Sequence, residues 1–171
     1  MANDVGTLPG TIRNLIIAGV AIALTVAIFL GIGSQSTLPS LKRLAAEAVP
    51  YEVAQTSGKP SLLEFYADWC TTCQAMAGDM AKLRATYGNQ VNFVMLNVDN
   101  HKWLPEMLQY NVDGIPHFVY LNADGETLSY AIGEQPRSIL ADNLAALVAA
   151  LPLPHQQFTG DRFSPAAPEA S

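Results

Sequence analysis

From Leu15 to Gly33 the chain reads LIIAGVAIALTVAIFLGIG, with no charged side chain and one hydroxyl, Thr25. This run limits what the chain can fold into more than any other feature. Its nineteen residues, as a helix, rise about 28 Å, close to the ~30 Å hydrocarbon core of a bilayer. A helix buried in a soluble core normally keeps a polar face, and this one has none. Two readings are open: a membrane-spanning anchor, or a cleaved secretory signal with Gly31-Ile32-Gly33 as its small-residue cleavage site. Length favours the anchor, since a signal core usually holds ~7–15 apolar residues behind a basic leader. Here the leader has only Arg13, offset by Asp4. Both readings export the chain beyond Gly33. With Arg13 on one side and Lys42 and Arg43 on the other, the positive-inside rule does not fix the orientation.

The remaining composition narrows the function classes. A chain of 171 residues holds one domain with appendages. A net charge of −6 argues against a nucleic-acid face, which is normally basic. Two cysteines are too few for a disulfide-dense scaffold or a four-cysteine metal or iron–sulfur site. The expected organisation is an N-terminal segment (1–14), the anchor (15–33), a juxtamembrane linker (34–49), a folded domain (50–151) and a tail (152–171). The tail is rich in proline with little periodicity, so it is expected to be mostly disordered.

Within the domain the pattern is regular. Leu41–Gly58 looks helical, divided by Pro50. Ser61–Ala67, Val91–Val98, His117–Leu121 and Thr127–Ile132 are strand-like, with a turn signal at Asn122-Ala123-Asp124-Gly125 before the last. Thr71–Tyr87 is helical, its Met76, Met80, Leu83 and Tyr87 spaced by four, three and four. That stripe reads as core packing. Trp103–Tyr110 reads as a short helix, and a final helix starts at Pro136 and runs to Ala150. A βαβ unit followed by ββα gives an α/β fold: a mixed sheet with helices on both faces.

Cys70-Thr71-Thr72-Cys73 sits where the first strand meets the next helix. A helix beginning near Cys70 would favour its thiolate through unpaired N–H groups and the helix dipole. Cys73, one turn on, is placed to attack a mixed disulfide formed on Cys70, so the pair can pass two electrons. Other readings of the spacing fit less well. Zinc needs about two more ligands, and His101, His117 and His155 show no ligand spacing. A c-type haem site needs histidine directly after the second cysteine, and Gln74 stands there. A structural disulfide across so short a loop restricts the unfolded chain little. No metal and no bound cofactor is expected.

The segment Glu64-Phe65-Tyr66-Ala67-Asp68-Trp69-Cys70-Thr71-Thr72-Cys73 resembles the thioredoxin active-site segment, and Gly114-Ile115-Pro116 resembles the family's cis-proline loop. The resemblance spans about Pro50 to Leu151. The run from Val91 to Asn100, with Lys102-Trp103 and Gly114–Phe118, looks like the membrane-anchored thioredoxin-like proteins of thylakoids, the cyanobacterial TxlA type and its chloroplast counterpart.

The resemblance implies a single-pass protein of the thylakoid or plasma membrane, its catalytic domain in the lumen or periplasm. It implies a thiol–disulfide oxidoreductase that reduces protein disulfides, including those of apocytochromes in cytochrome b6f assembly. A CcdA-type membrane thiol transporter would supply the electrons. The alternatives are a disulfide oxidase or isomerase of exported proteins and a non-catalytic tethered docking module. Site roles are implied on the same terms. Cys70 is the nucleophile and Cys73 the resolving thiol. Trp69 shields the pair and joins the docking surface. Glu64 matches the family's buried acid, usually aspartate, with a solvated edge carboxylate as the rival reading. Pro116 is expected cis, leaving the Ile115 backbone to pair with a substrate strand. His117 reads as structural. The chain departs from the pattern at three further places: Thr71-Thr72 replaces Gly-Pro, so the family's potential does not transfer, Met95 stands where the pattern carries a lysine near the acid, and Gly78 stands where the family often has a helix-kinking proline.

Overall fold

The structure is a computed structural model that describes residues 9–33, 40–156, 158–159 and 164–165. It divides into two compact units, residues 1–37 and 38–171.

In the first unit, α1 (Gly10–Gly33) is a 24-residue helix. Pro9 opens it, its carbonyl accepting the N–H groups of Ile12 and Arg13. Thr25 donates its hydroxyl to the Ala21 carbonyl at 2.8 Å, so the one polar side chain of the run is bonded within the helix. The side chains from Thr11 to Val26 are exposed, Leu15 by 70% and Ile22 by 65%. Among the described residues no helix is long and apolar enough to cross a membrane. Residues 34–39 of the expected linker 34–49 lie outside the described residues.

The second unit begins its core earlier than the sequence pattern indicates. Helix α2 (Leu41–Ala46), inside the expected linker, buries Leu41 and Leu44. Ser40 caps it, accepting the Arg43 N–H at 3.2 Å. The helical pattern read over Leu41–Gly58 is present as two short helices divided at Pro50, the first packed into the core. Pro50 ends the break before α3 (Tyr51–Thr56).

Strands β1 (Ser61–Tyr66), β2 (Asn92–Asn97) and the short β3 (Gly114–Ile115) are followed by β4 (His117–Leu121), β5 (Thr127–Ile132) and β6 (Phe158–Thr159). The main sheet has the order β2-β1-β4-β5-β6. β1 runs parallel to β2 and antiparallel to β4, and β5 runs antiparallel to β4 and parallel to β6. All six side chains of β1 and all five of β4 are buried. Successive strand residues point to opposite faces, so both faces are covered, as expected for an α/β fold. Between β1 and β2, α4 (Thr71–Tyr87) makes the crossover and buries Cys73, Met76, Ala77, Met80 and Leu83. Full burial of a Met or Leu stabilises the fold by roughly 1.5–3 kcal/mol each. α5 (Leu104–Gln109) follows a 3-10 turn, and α6 (Arg137–Val148) buries Leu140, Asn143, Leu144 and Leu147. The β4–β5 turn closes as its residues indicate: Asn122 Oδ1 accepts the N–H groups of Asp124 and Glu126, and Gly125 takes φ +81°.

The tail departs from its expected disorder at several described points, beginning with the buried Leu153 and with His155, which is bonded to Asn143. Phe158–Thr159 adds β6 to the main sheet, and β7 (Ser164–Pro165) pairs with β3 in a second, two-stranded sheet. Backbone pairing of this kind needs no side-chain periodicity, so the composition does not display it. The tail's other residues, 157, 160–163 and 166–171, lie outside the described residues.

Candidate functional site

The cysteine pair and the Gly114-Ile115-Pro116 loop lie at one end of the sheet, and register explains why. Phe65, next to the end of β1, lies opposite His117, the first residue of β4. Because the strands are antiparallel, the residues that follow β1 and those that precede β4 emerge at the same end. The first group leads to Cys70, and the second is Gly114-Ile115-Pro116.

Cys70 is the N-cap of α4 and is joined to Cys73 by a disulfide, the two Cα atoms 5.3 Å apart. Cys70 Sγ accepts the Cys73 backbone N–H at 3.1 Å. In the reduced pair the same N–H and the 17-residue helix behind it would favour a thiolate on Cys70. Both cysteines are fully buried. Trp69 beside them is 49% exposed, and its indole N–H donates to both carboxylate oxygens of Asp99, at 3.0 and 3.2 Å. Nothing in the sequence pattern assigns Asp99 a role. Its partner lies thirty positions away, and only the parallel β1–β2 pairing brings them together.

The Ile115–Pro116 peptide bond is cis, as the motif implies. The Pro116 carbonyl accepts the Gly133 N–H at 2.8 Å, and Gly133 has φ +80°. A side chain would strain that conformation, so glycine secures the end of β5 to the proline loop. Ile115 is fully buried.

Glu64 is 1% exposed, and neither carboxyl oxygen has a hydrogen-bond partner among the described residues. It is not the solvated edge carboxylate of the rival reading. Leu44, Met80, Arg84, Phe93 and Met95 line the same small cavity. Burial pushes its pKa up to about 8. Phe65, its neighbour, points to the opposite face against Tyr110 and His117, both 6.0 Å between ring centroids. His117 is buried, stacked on Tyr130 at 5.8 Å, and neither ring nitrogen is bonded among the described residues. Burial lowers its pKa to about 4, the Asp113 charge opposing. It is neutral at physiological pH. Among the described residues no group of three or more His, Cys, Asp or Glu side chains could hold a metal ion. The structure thus holds a disulfide-bonded cysteine pair at a helix N-terminus and, on β1, a buried carboxyl with a raised pKa.

Comparison with known proteins agrees with this geometry. The thioredoxin family model matches residues 41–146, a span that includes α2. The chain is 55% identical over 152 residues to a thiol:disulfide interchange protein TxlA homolog of Synechocystis, covering 89% of this chain and 84% of that one. It is 54% identical over 155 residues to the thiol:disulfide interchange protein TxlA of Synechococcus elongatus, covering 91% and 81%. The chloroplastic thioredoxin-like protein HCF164 of Oryza sativa is 47% identical over 128 residues, covering 74% of this chain and 48% of that protein. A chain solved in work on thiol resolution in a yeast mitochondrial 1-Cys peroxiredoxin shares the fold, with TM-score 0.52 and 22% identity over 60% of this chain and 98% of that one.

Proposed function

The chain belongs to the thioredoxin family and is a thiol–disulfide oxidoreductase, and from that premise we propose that it is a membrane-anchored reductase of lumenal or periplasmic protein disulfides. The observation that carries the chemistry is the Cys70–Cys73 disulfide at the N-terminus of α4 beside the cis Ile115–Pro116 loop.

The reaction has two exchanges. The Cys70 thiolate attacks one sulfur of the target disulfide, and the other target sulfur leaves as a thiolate and takes a proton. Cys73 then loses its proton and attacks Cys70 Sγ. The second target sulfur leaves as a thiol, and the Cys70–Cys73 disulfide remains. Two electrons have passed to the target, and a membrane thiol donor of the CcdA type would return them. Glu64 is the group that holds or moves the proton for Cys73. With its pKa near 8 it is mostly protonated at neutral pH and exchanges readily there. Trp69 offers an exposed apolar face beside the pair, suited to docking a protein rather than a small molecule. Ile115 offers the backbone on which a target strand would lie.

The membrane anchor is α1. Its uncharged run from Leu15 to Gly33 and its outward apolar side chains support a span. The rice relative is named as chloroplastic, which is compatible with a thylakoid-associated setting; apocytochromes awaiting haem are the target class proposed for such an exported reductase.

Substituting Cys73→Ser in intact membranes tests the reading. Mixed disulfides between Cys70 and exported proteins should accumulate, and a further Cys70→Ser change should abolish them. A membrane yielding no Cys70-dependent adduct would rule out the catalytic role.

A further inference from the structure

The reductase reading makes no use of the C-terminal segment, yet that segment is anchored at successive points. Leu153 is buried in the core. Asn143 on α6 is fully buried and clamps the backbone of His155 from both sides: its amide donates to the His155 carbonyl at 2.8 Å, and its oxygen accepts the His155 N–H at 3.0 Å. A buried amide left unpaired would be costly, so this side chain is committed to holding the tail. Phe158 and Thr159 then pair with Ala131 and Ile132.

The direction of that pairing matters. β6 is parallel to β5, and β5 ends beside Gly133, whose N–H is bonded to the Pro116 carbonyl. The tail is therefore led toward the cis-proline loop. It arrives there as β7, antiparallel to β3, with Ser164 opposite Ile115 and Pro165 opposite Gly114. Pro165 has no N–H to give, so in this register the backbone bonds fall to Ile115 and Ser164. In this arrangement Cys70 has no exposed surface.

We propose that the C-terminal segment around Ser164–Pro165 is an intramolecular competitor of the protein substrate, paired on the Ile115 backbone edge where a target strand would lie. The inference rests on the reductase reading, because only a target that binds by strand pairing competes with β7. Ser164 lies nine positions beyond the clamped His155, and so short a tether gives an effective concentration on the order of millimolar. Two backbone bonds hold it only modestly. A protein target with its own docking contacts displaces it, whereas a weakly bound one does not. The tail thus raises the threshold for substrate recognition without touching the sulfur chemistry.

Two variants of the full chain test this: a stop after Gln156, and Ser164→Pro, which removes the N–H that pairs with Ile115. Each should lower KM for insulin disulfides about 3- to 10-fold with kcat unchanged. Reduction of hydroxyethyl disulfide, which needs no strand pairing, should stay the same. The Ile115 amide should exchange with solvent faster in both variants. An unchanged KM for insulin, an equal gain on both disulfides, or unchanged exchange at Ile115 would each overturn the proposal. If neither the full chain nor the variants reduce insulin, the reductase reading fails instead, and exchange at Ile115 still decides whether β7 holds the edge.

Discussion

Glu64 on β1 lies beside Met95 on β2 in the parallel register, so the buried carboxyl has a thioether for its cross-strand neighbour where the thioredoxin pattern has a cation. Arg84, which lines the same cavity, is paired with Glu47 and the Leu44 carbonyl, and desolvation raises the folded pKa of Glu64 to about 8. The neutral acid therefore favours folding. That advantage is complete below the unfolded pKa of about 4.3 and is lost as pH rises through about 8. Glu64→Gln should lose less stability than the parent between pH 5 and pH 9, read from urea midpoints at several pH values. It should also remove an inflection near pH 8 from the rate at which Cys73 resolves a mixed disulfide. Parallel stability curves would mean the carboxyl is solvated.

Met95→Lys makes the converse test. A lysine at this place supplies the missing charge, so the Glu64 pKa should fall and the pH-rate inflection should move to lower pH. Titration of the carboxyl by infrared or NMR measures this directly. An unmoved carboxyl would show that the two side chains do not interact.

Trp69 and Asp99 form an exposed pair, and exposed hydrogen bonds contribute little to stability. Asp99→Ala should change unfolding free energy by about 0.5 kcal/mol or less. If Trp69 docks targets, Trp69→Ala should raise KM for insulin by the equivalent of about 1–2 kcal/mol, while kcat and the hydroxyethyl disulfide rate stay near the parent's. A fall in kcat alone would assign Trp69 to the sulfur chemistry.

Asn143→Ala removes both bonds to His155 from a buried position. The expected loss is about 1–3 kcal/mol, seen in thermal or urea unfolding. The His155 amide should lose protection from hydrogen exchange more than α6 does. Uniform loss across the domain would indicate general packing damage.

The proposed membrane anchoring makes a prediction at the level of the whole chain. The full chain should stay with membranes through alkaline carbonate washing, and a chain starting at Ser40 should be released and still reduce insulin. Recovery of the full chain in the wash would end the anchor reading.

The functional pair was legible because its signals are local. A strand-type run, a Cys-x-x-Cys and a helical stripe of Met76, Met80 and Leu83 place Cys70 at a helix N-terminus before any fold is known, and the structure has it there. Gly114-Ile115-Pro116 was legible only through family resemblance, since nothing in the composition of three residues implies a cis bond. Less was legible at the edges. Leu41 and Leu44 read as helical but were placed with the linker, because a local pattern does not show which surface a short helix packs against. The strands of the tail read as disorder because their pairing uses backbone groups, which every residue but proline carries alike.

By itself the sequence determined the periods, the caps and the spacing of the two sulfurs, which depend on neighbours within a few residues. The tertiary structure decided the rest. It made Glu64 an uncharged acid and His117 a neutral ring by closing layers over them, it set Asp99 against Trp69, and it led the tail onto Ile115. Each of these depends on desolvation or on partners far apart in the chain. Burial and long-range register arise only when the sheet has closed, and no local pattern encodes them.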